Sequence, residues 1–305
     1  MDRCDTVTLK DDPEDILSTS LQCLYDFHPI TFSAAGSVFT YPINPGRVLS
    51  GYPSTLEQPE IELVTPDTDP SNWALHASSI WVSSLFIADH LEELQIDTMT
   101  VRDPGADSDG TPVVYILELG AGAGLPSILL ARMYPHVSIT ASDYPDDRLI
   151  HTLSDNVHRN GVSERCRAVP YAWGTDTRSL VHDSGCAHGA RFDIIFAADT
   201  LWNPALHTSF LDTLCMCLKR SPESRIHLVA GLHTGRYTIQ SFLDNTKRRG
   251  LGLLSATERE VGGTQSRPWD VSRAEGENEG ERRKWVVWMI LKWEDSLARD
   301  ALRSP

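Results

Sequence analysis

From residue 113 to residue 293 the chain alternates short apolar runs with longer amphipathic ones, and this alternation constrains the fold more than any other feature. Residues 113–119, 137–141, 192–198 and 225–230 read as buried strands. Between them, residues 125–134, 146–160 and 235–249 carry helical periodicity. In 146–160 the residues Leu149, Ile150, Leu153 and Val157 form one stripe, and Gly161 stops the helix. Asn203-Pro204 opens another helix, with Asn as cap and Pro in the first turn. Strands that alternate with helices predict an α/β fold with a mostly parallel sheet and helices on both faces. Two apolar runs in succession, 251–258 and 285–293, predict an antiparallel hairpin at the end.

The rest of the chain is less regular. Residues 1–72 form an irregular N-terminal extension rich in Pro, Asp and Thr, with a β-hairpin in "SVFTYPINPGRVLSGYP" turned at Asn44-Pro45-Gly46. Residues 73–94 read as helical and 97–112 as a polar acidic loop. A charged insertion, 261–284, separates the last two strands, so the domain runs over 73–293 and a tail follows over 294–305. The net charge of −15 opposes a nucleic-acid partner, which needs a basic face, and permits a cationic one. No run supplies the ~18 apolar residues of a membrane span. The start lacks a basic leader followed by an apolar core. Cys4, Cys23, Cys166, Cys186, Cys215 and Cys217 have no zinc spacing and read as reduced thiols, so a cytoplasmic monomer without a metal is expected.

The first strand runs into "ILELGAGAGLPS", residues 116–127. In a parallel sheet such a strand-to-helix turn faces the ligand. Its glycines are Gly120, Gly122 and Gly124, with Leu125 where a dinucleotide fingerprint needs glycine and no Lys to follow. Glu118 just before them would repel a pyrophosphate and suits an ammonium. Asp143 ends the next strand, where an acid accepts ribose hydroxyls. Carboxylates for an amine and a ribose, with no phosphate cradle, point to S-adenosylmethionine and away from a dinucleotide oxidoreductase.

Together "ILELGAGAGLPSILLA", "SDYPDDRLIHTLSDNV", "YAWGTD", "FAADTLWNPALH" and "WALHASSIWVSSLFIADHLE" resemble the eukaryotic family-16 methyltransferases. The likeness is greatest to a fungal group labelled nicotinamide N-methyltransferase-like, which includes an enzyme acting on the N-terminal glycine and adjacent lysine of elongation factor 1-alpha. The resemblance implies a Rossmann-like class I domain with a seven-stranded sheet. It implies that Gly120, Ala121 and Gly122 hold the methionine end, with Glu118 near its amine. Asp143 would hold the ribose, Trp173 would flank the adenine, and Ala198 would line the cofactor. Trp81 would close over the methionine side, and Tyr144 is placed beside the pocket by its position after Asp143. Asp199 and Trp202 of "DTLW" resemble the family's D-x-x-[FY] motif at the methyl-transfer face, with Trp in place of Phe or Tyr. "GLHTGRYTIQSF" departs from the family around the fifth strand.

The function implied is N-methylation of an amine, a protein lysine or N-terminal amine, with elongation factor 1-alpha as one acceptor. A small-molecule amine and a non-catalytic cofactor-binding regulator are the alternatives. Asp199 has a competing use as a turn cap. His76, His207 and His233 read as structural or solvated, and Trp73 as core.

Overall fold

The computed structural model describes residues 28–43, 60–99, 113–181, 191–294 and 297. Apolar alternation builds ten strands among them. These are β1 (Val38–Pro42), β2 (Glu60–Val64), β3 (Val114–Leu119), β4 (Val137–Asp143), β5 (Cys166–Pro170), β6 (Ile194–Ala198), β7 (Arg225–Gly231), β8 (Leu251–Glu260), β9 (Ser266–Pro268) and β10 (Trp285–Trp293). The helices are α1 (Val82–Asp89), α2 (Ile96–Met99), α3 (Leu125–Met133), α4 (Asp147–Arg159), α5 (His207–Cys217), α6 (Arg236–Arg248) and α7 (Glu279–Arg283).

The main sheet runs β5-β4-β3-β6-β7-β10-β8-β9. Its first five strands are parallel, and β10, β8 and β9 join antiparallel. The α/β class, the parallel sheet and the final hairpin are as the alternation requires. Eight strands replace the expected seven, because the insertion adds β9 alongside β8. The short, half-polar β5 has no apolar run to mark it in the sequence.

Successive residues of β3 feed opposite faces. Val114 and Ile116 enter one core with α1, α3 and α4, while Leu117 and Leu119 enter the other with α5 and α6. Helix α3 is buried on nearly every side, which explains its weak amphipathic pattern. Helix α4 has one apolar stripe and an Asp146 cap whose carboxylate accepts from the amides of Arg148 and Leu149.

The N-terminal ribbon has two strands. β1 pairs antiparallel with β2, Val38–Pro42 against Glu60–Val64, while the expected hairpin would turn at Asn44-Pro45-Gly46. That turn lies outside the described residues. Asn156 of α4 and Asn160, its C-cap, dock β2. Asn156 exchanges hydrogen bonds with the amide and carbonyl of Val64 at 2.8 Å each, as a neighbouring strand would. The same Asn156 Nδ2 donates to the carbonyl of Ala123 at 3.0 Å, joining the ribbon to the glycine loop.

The helical stretch 73–94 is broken. A 3-10 turn at Pro70–Leu75 stops at His76, which is left-handed at φ 54°. The chain then runs extended past residues 30–32 before α1 starts. A second 3-10 turn, Leu91–Leu94, ends at Gln95, again left-handed. Residues 97–99 of the expected acidic loop belong to α2, and 100–112 lie outside the described residues. The tail beyond Glu294 is described only at residue 297.

The insertion folds onto the sheet edge around a buried ion network. Arg236 of α6 is almost wholly buried and bonds both Glu258 of β8 and Glu277 of the insertion, while Arg267 and Arg273 also reach Glu258. Among the described residues no helix is long and apolar enough to cross a membrane, and no His/Cys/Asp/Glu group suits a metal. Cys166, Cys215 and Cys217 are free thiols. Cys4, Cys23 and Cys186 lie outside the described residues.

Candidate active site

The carboxyl ends of β5, β4, β3, β6 and β7 open onto one cavity of about 350 Å³. Each strand end contributes one part, and the sheet order sets their sequence in space.

The glycine loop leaves β3 at Gly120 with φ +74°, a left-handed turn that favours glycine. A Cβ there would stand 2.9 Å from Thr200 Cγ2. Gly122, also left-handed, faces the cavity. Gly124 has another reason to be glycine: a Cβ would meet Leu153 of α4 at 2.6 Å, so it serves helix packing. The amides of Gly120 and Ala121 donate to the Ser142 carbonyl at 2.9 and 3.0 Å, and that of Gly122 to Asp143 Oδ2 at 2.7 Å. A phosphate nest needs such amides free, and here three are engaged. Among the described residues no Lys or Arg lines the cavity to neutralise a phosphate.

Asp143, at the end of β4, lies with Oδ2 on the Gly122 amide and Oδ1 on the Tyr144 amide at 2.6 Å. Each oxygen keeps a lone pair for another donor. Burial raises this carboxyl to about 6, against the lowering effect of the two amides. Glu118 is buried at the cavity floor, where it accepts the Ser127 hydroxyl. Burial pushes it up to about 8, with the Ser127 bond opposing and the charge of Asp143 adding. It is therefore a neutral carboxyl at pH 7 until a cation is placed beside it. The sequence reading of Glu118 as a ready carboxylate is corrected to that extent.

At the β5 end, Trp173 lines the cavity and rests against Phe210, with ring centroids 4.6 Å apart. Gly174, the next residue, meets α5, where a Cβ would lie 3.0 Å from Ser209. Tyr144 lines the mouth and is about two-fifths exposed. Ala121 and Ala198 also line the cavity.

The β6 and β7 ends form the other side. Asp199 is left-handed at φ 51°, a strained conformation for a residue other than glycine. Its Oδ1 accepts from the Gly231 amide at 2.7 Å and its Oδ2 from the Ser83 amide, in the first turn of α1, at 3.2 Å. Asp199 thus joins β6, β7 and α1, and it caps a helix distant in sequence, not the turn that follows it. Trp81, just before α1, donates Nε1 to the His76 carbonyl at 2.7 Å and stacks on His233 at 5.5 Å. Trp202 meets His76 edge-on at 4.9 Å.

Every residue that the sequence placed in the site therefore lines this cavity: Trp81, Glu118, Gly120, Ala121, Gly122, Asp143, Tyr144, Trp173, Ala198, Asp199 and Trp202. His76 and His233 do too, contrary to their reading as structural or solvated. The signal available for His233 was its place just past the end of a parallel strand. His207 is buried with Nε2 on the Leu201 carbonyl and does not line the cavity. Trp73 is two-thirds exposed and is neither core nor lining.

A ligand with a ribose, an aromatic base and a cationic end, but no phosphate, fits this donor set. Asp143 at the end of β4 and Trp173 past the end of β5 both line this side of the cavity. Gly120, with its close neighbour Thr200, lets the backbone approach.

The sequence profile of the family described as "Lysine methyltransferase" matches residues 69–249. The chain is 28% identical to "Protein N-terminal and lysine N-methyltransferase efm7" of Schizosaccharomyces pombe, over 51% of this chain and 56% of that protein. It is 31% identical to the protein of the same name from Gibberella zeae, over 48% of this chain and 55% of that one. It is 26% identical to "EEF1A lysine methyltransferase 3" of Xenopus tropicalis, over 55% and 63% respectively. The chain spans somewhat over half the length of these relatives.

Proposed function

Because the chain belongs to the lysine methyltransferase family, whose profile covers residues 69–249, we propose that it moves a methyl group from S-adenosylmethionine to a protein amine. The acceptor is a lysine or an N-terminal amine, as in the name of the Schizosaccharomyces pombe relative, and elongation factor 1-alpha is the candidate that the name of the Xenopus tropicalis relative supplies. When bound, S-adenosylmethionine supplies a methyl group activated on a sulfonium.

One observation carries the choice of an amine. The side of the cavity beyond the glycine loop combines the carboxylate of Asp199 with the rings of Trp81 and Trp202 and, among the described residues, contains no cationic Lys or Arg. A lysine amine, with a pKa of about 10.4, arrives as an ammonium. Asp199 accepts from it with the lone pairs left over from Gly231 and Ser83. An aromatic face adds on the order of 0.5–2 kcal/mol for a desolvated cation. An acid with aromatic walls holds a cation and repels a carboxylate. The net charge of −15 favours approach of a basic protein segment. On the other side, Asp143 holds the ribose hydroxyls, Trp173 flanks the base, and Gly120, Ala121 and Gly122 bound the methionine end. Glu118 beneath them ionises when an ammonium arrives.

The test is methyl transfer from tritiated S-adenosylmethionine to unmethylated elongation factor 1-alpha and to a fungal lysate separated into protein and small-molecule fractions. Label in the protein fraction is expected. Label confined to small molecules overturns the protein acceptor, and no label anywhere overturns the activity.

A further inference from the structure

The acceptor side holds a group that no family motif points to. We propose that His233 is the base that takes the proton from the acceptor ammonium, with its Nε2 and Asp199 Oδ1 forming a two-point cradle for that nitrogen. The inference rests on the amine-methylating activity proposed above and adds a residue and a step to it.

The sheet order places His233. Parts for the base, the ribose and the methionine end occupy β5, β4 and β3 in turn. Asp199 follows at the end of β6 and His233 just after β7, at the far end of this row. Strands are about 4.8 Å apart, so the β5 and β7 ends are separated by about 19 Å. A group beside β7 is thus on the acceptor side of the glycine loop.

The local geometry is built around the imidazole. Nε2 is 3.9 Å from Asp199 Oδ1, beyond a hydrogen bond, so the two face each other with a gap. A nitrogen that donates to both at the usual ~2.9 Å fits between acceptors at this separation. The ring is stacked on Trp81, which fixes its plane. Its Nδ1 is buried without a hydrogen-bond partner, so nothing in the described structure anchors the ring through that atom. Gly231 has an ordinary φ of −64°, yet a Cβ there would lie 2.3 Å from both Cε1 and Nδ1 of His233. Its lack of a side chain makes room for the imidazole next to the Asp199 carboxylate.

The step balances simply. One N–H bond of the ammonium breaks, and its electron pair stays on nitrogen as the attacking lone pair. The proton bonds to Nε2, and the resulting imidazolium faces the Asp199 carboxylate. Release of that proton to solvent restores the base.

The groups around His233 are few. Asp199 faces it from β6 and Trp81 from the start of α1, while His76 lies behind Trp81. The turn 232–234 also packs on α6, whose first residue Arg236 is held by Glu277 and Glu258, and it packs on α7 and the start of β10. Their charges are Glu279, Glu281, Arg282, Arg283 and Lys284, with Glu279 bonded to Arg283 at 2.7 Å.

Three variants test the proposal: His233→Gln, Gly231→Ala and, for comparison, His76→Gln. Transfer to unmethylated elongation factor 1-alpha is followed from pH 6.5 to 10, with S-adenosylhomocysteine titrations on each protein. His233→Gln should lose at least about tenfold in turnover at pH 7.5, the lower edge of what a positioned base contributes being nearer a hundredfold. The deficit should shrink as pH rises and the free amine becomes abundant, and added imidazole should restore part of it. S-adenosylhomocysteine affinity should stay within twofold. Gly231→Ala should show the same loss although its imidazole is present, because the ring is displaced. A second readout needs no turnover. In the S-adenosylhomocysteine complex, butylammonium should shift the ring nitrogen resonances of one histidine, and His233→Gln should abolish that signal. The inference is overturned if His233→Gln keeps the wild-type turnover and pH profile. It is also overturned if lost cofactor affinity accounts for the whole defect, or if His76→Gln alone gives the pH-rescued loss. Wild-type transfer with an unaltered His233→Gln leaves the functional reading intact and sinks only this one. Absence of S-adenosylhomocysteine binding by the wild type sinks both.

Discussion

Cofactor affinity should follow the ionisation of Asp143. In the ligand-free cavity burial holds this carboxyl at about 6. The ribose donates hydrogen bonds, so the carboxylate form is the one that binds it. With a pKa of about 6, roughly nine-tenths of the groups are ionised at pH 7 and roughly one-tenth at pH 5. The affinity for S-adenosylhomocysteine should therefore fall about tenfold between pH 7 and pH 5, or about 1.4 kcal/mol. Stability moves the opposite way. The folded pKa lies above the ordinary 3.8, so the stabilising contribution is complete below pH ~4 and is lost as pH rises through 6. The loss reaches about 3 kcal/mol. The shift in melting temperature caused by ligand should accordingly grow from pH 5 to pH 7. Asp143→Asn keeps one acceptor for the amides of Gly122 and Tyr144, and its NH2 group opposes the other. Its affinity should be lower at pH 7 by about 1.5–3 kcal/mol, the worth of a charged hydrogen bond, and flat from pH 5 to 7. Calorimetric titration at four pH values, on both proteins, provides the measurement. A flat wild-type profile, or a slope that survives in Asp143→Asn, refutes the assignment.

Glu118, held at about 8, should add a second rise in affinity above pH 7, with proton release on binding at pH 7; Glu118→Gln should remove both in calorimetry run in two buffers. Trp81→Ala should weaken S-adenosylhomocysteine binding, whereas Trp73→Ala, at a site two-thirds exposed, should leave affinity unchanged and shift stability by no more than about 0.5 kcal/mol. Asp199→Asn turns an amide donor toward the amide of either Ser83 or Gly231, so it should lower stability by about 1–3 kcal/mol and turnover at least about tenfold, and an unchanged melting curve would remove Asp199 from its joining role. Arg236→Ala leaves Glu258 and Glu277 without their buried guanidinium and should cost about 3–5 kcal/mol, with the insertion becoming sensitive to protease.

The fold class and most of the site can be read in the sequence because they are local in origin. Strand and helix periods over 113–293 state the α/β order, and the ends of successive parallel strands point to one edge whatever the details. Gly120, Ala121, Gly122 and Asp143 are recognisable since a turn and a strand end fix where they lie. The family resemblance extends this to Trp81, Trp173, Asp199 and Trp202. Other features depend on contacts between residues distant in sequence. β1 pairs with β2, a strand distant from it in sequence, and β2 is docked by Asn156 of α4 and the C-cap Asn160. β5 lacks an apolar run, and its neighbour β4 is what makes it a strand. The helix expected over 73–94 breaks where the chain must run extended to bring Trp81 to the cavity. Asp199 is an acid at a strand end in the sequence, but the amides that engage it come from residues 83 and 231. The pKa values of Glu118 and Asp143 come from burial, which arises only when α1, α3 and α4 close over the sheet. For His233 the sequence offers only its position just past a parallel strand. Its place between Trp81 and Asp199 exists only after three separate segments meet. Local preferences act over a few bonds and so can be read along the chain, whereas charge, burial and side-chain cradles are properties of the space between segments.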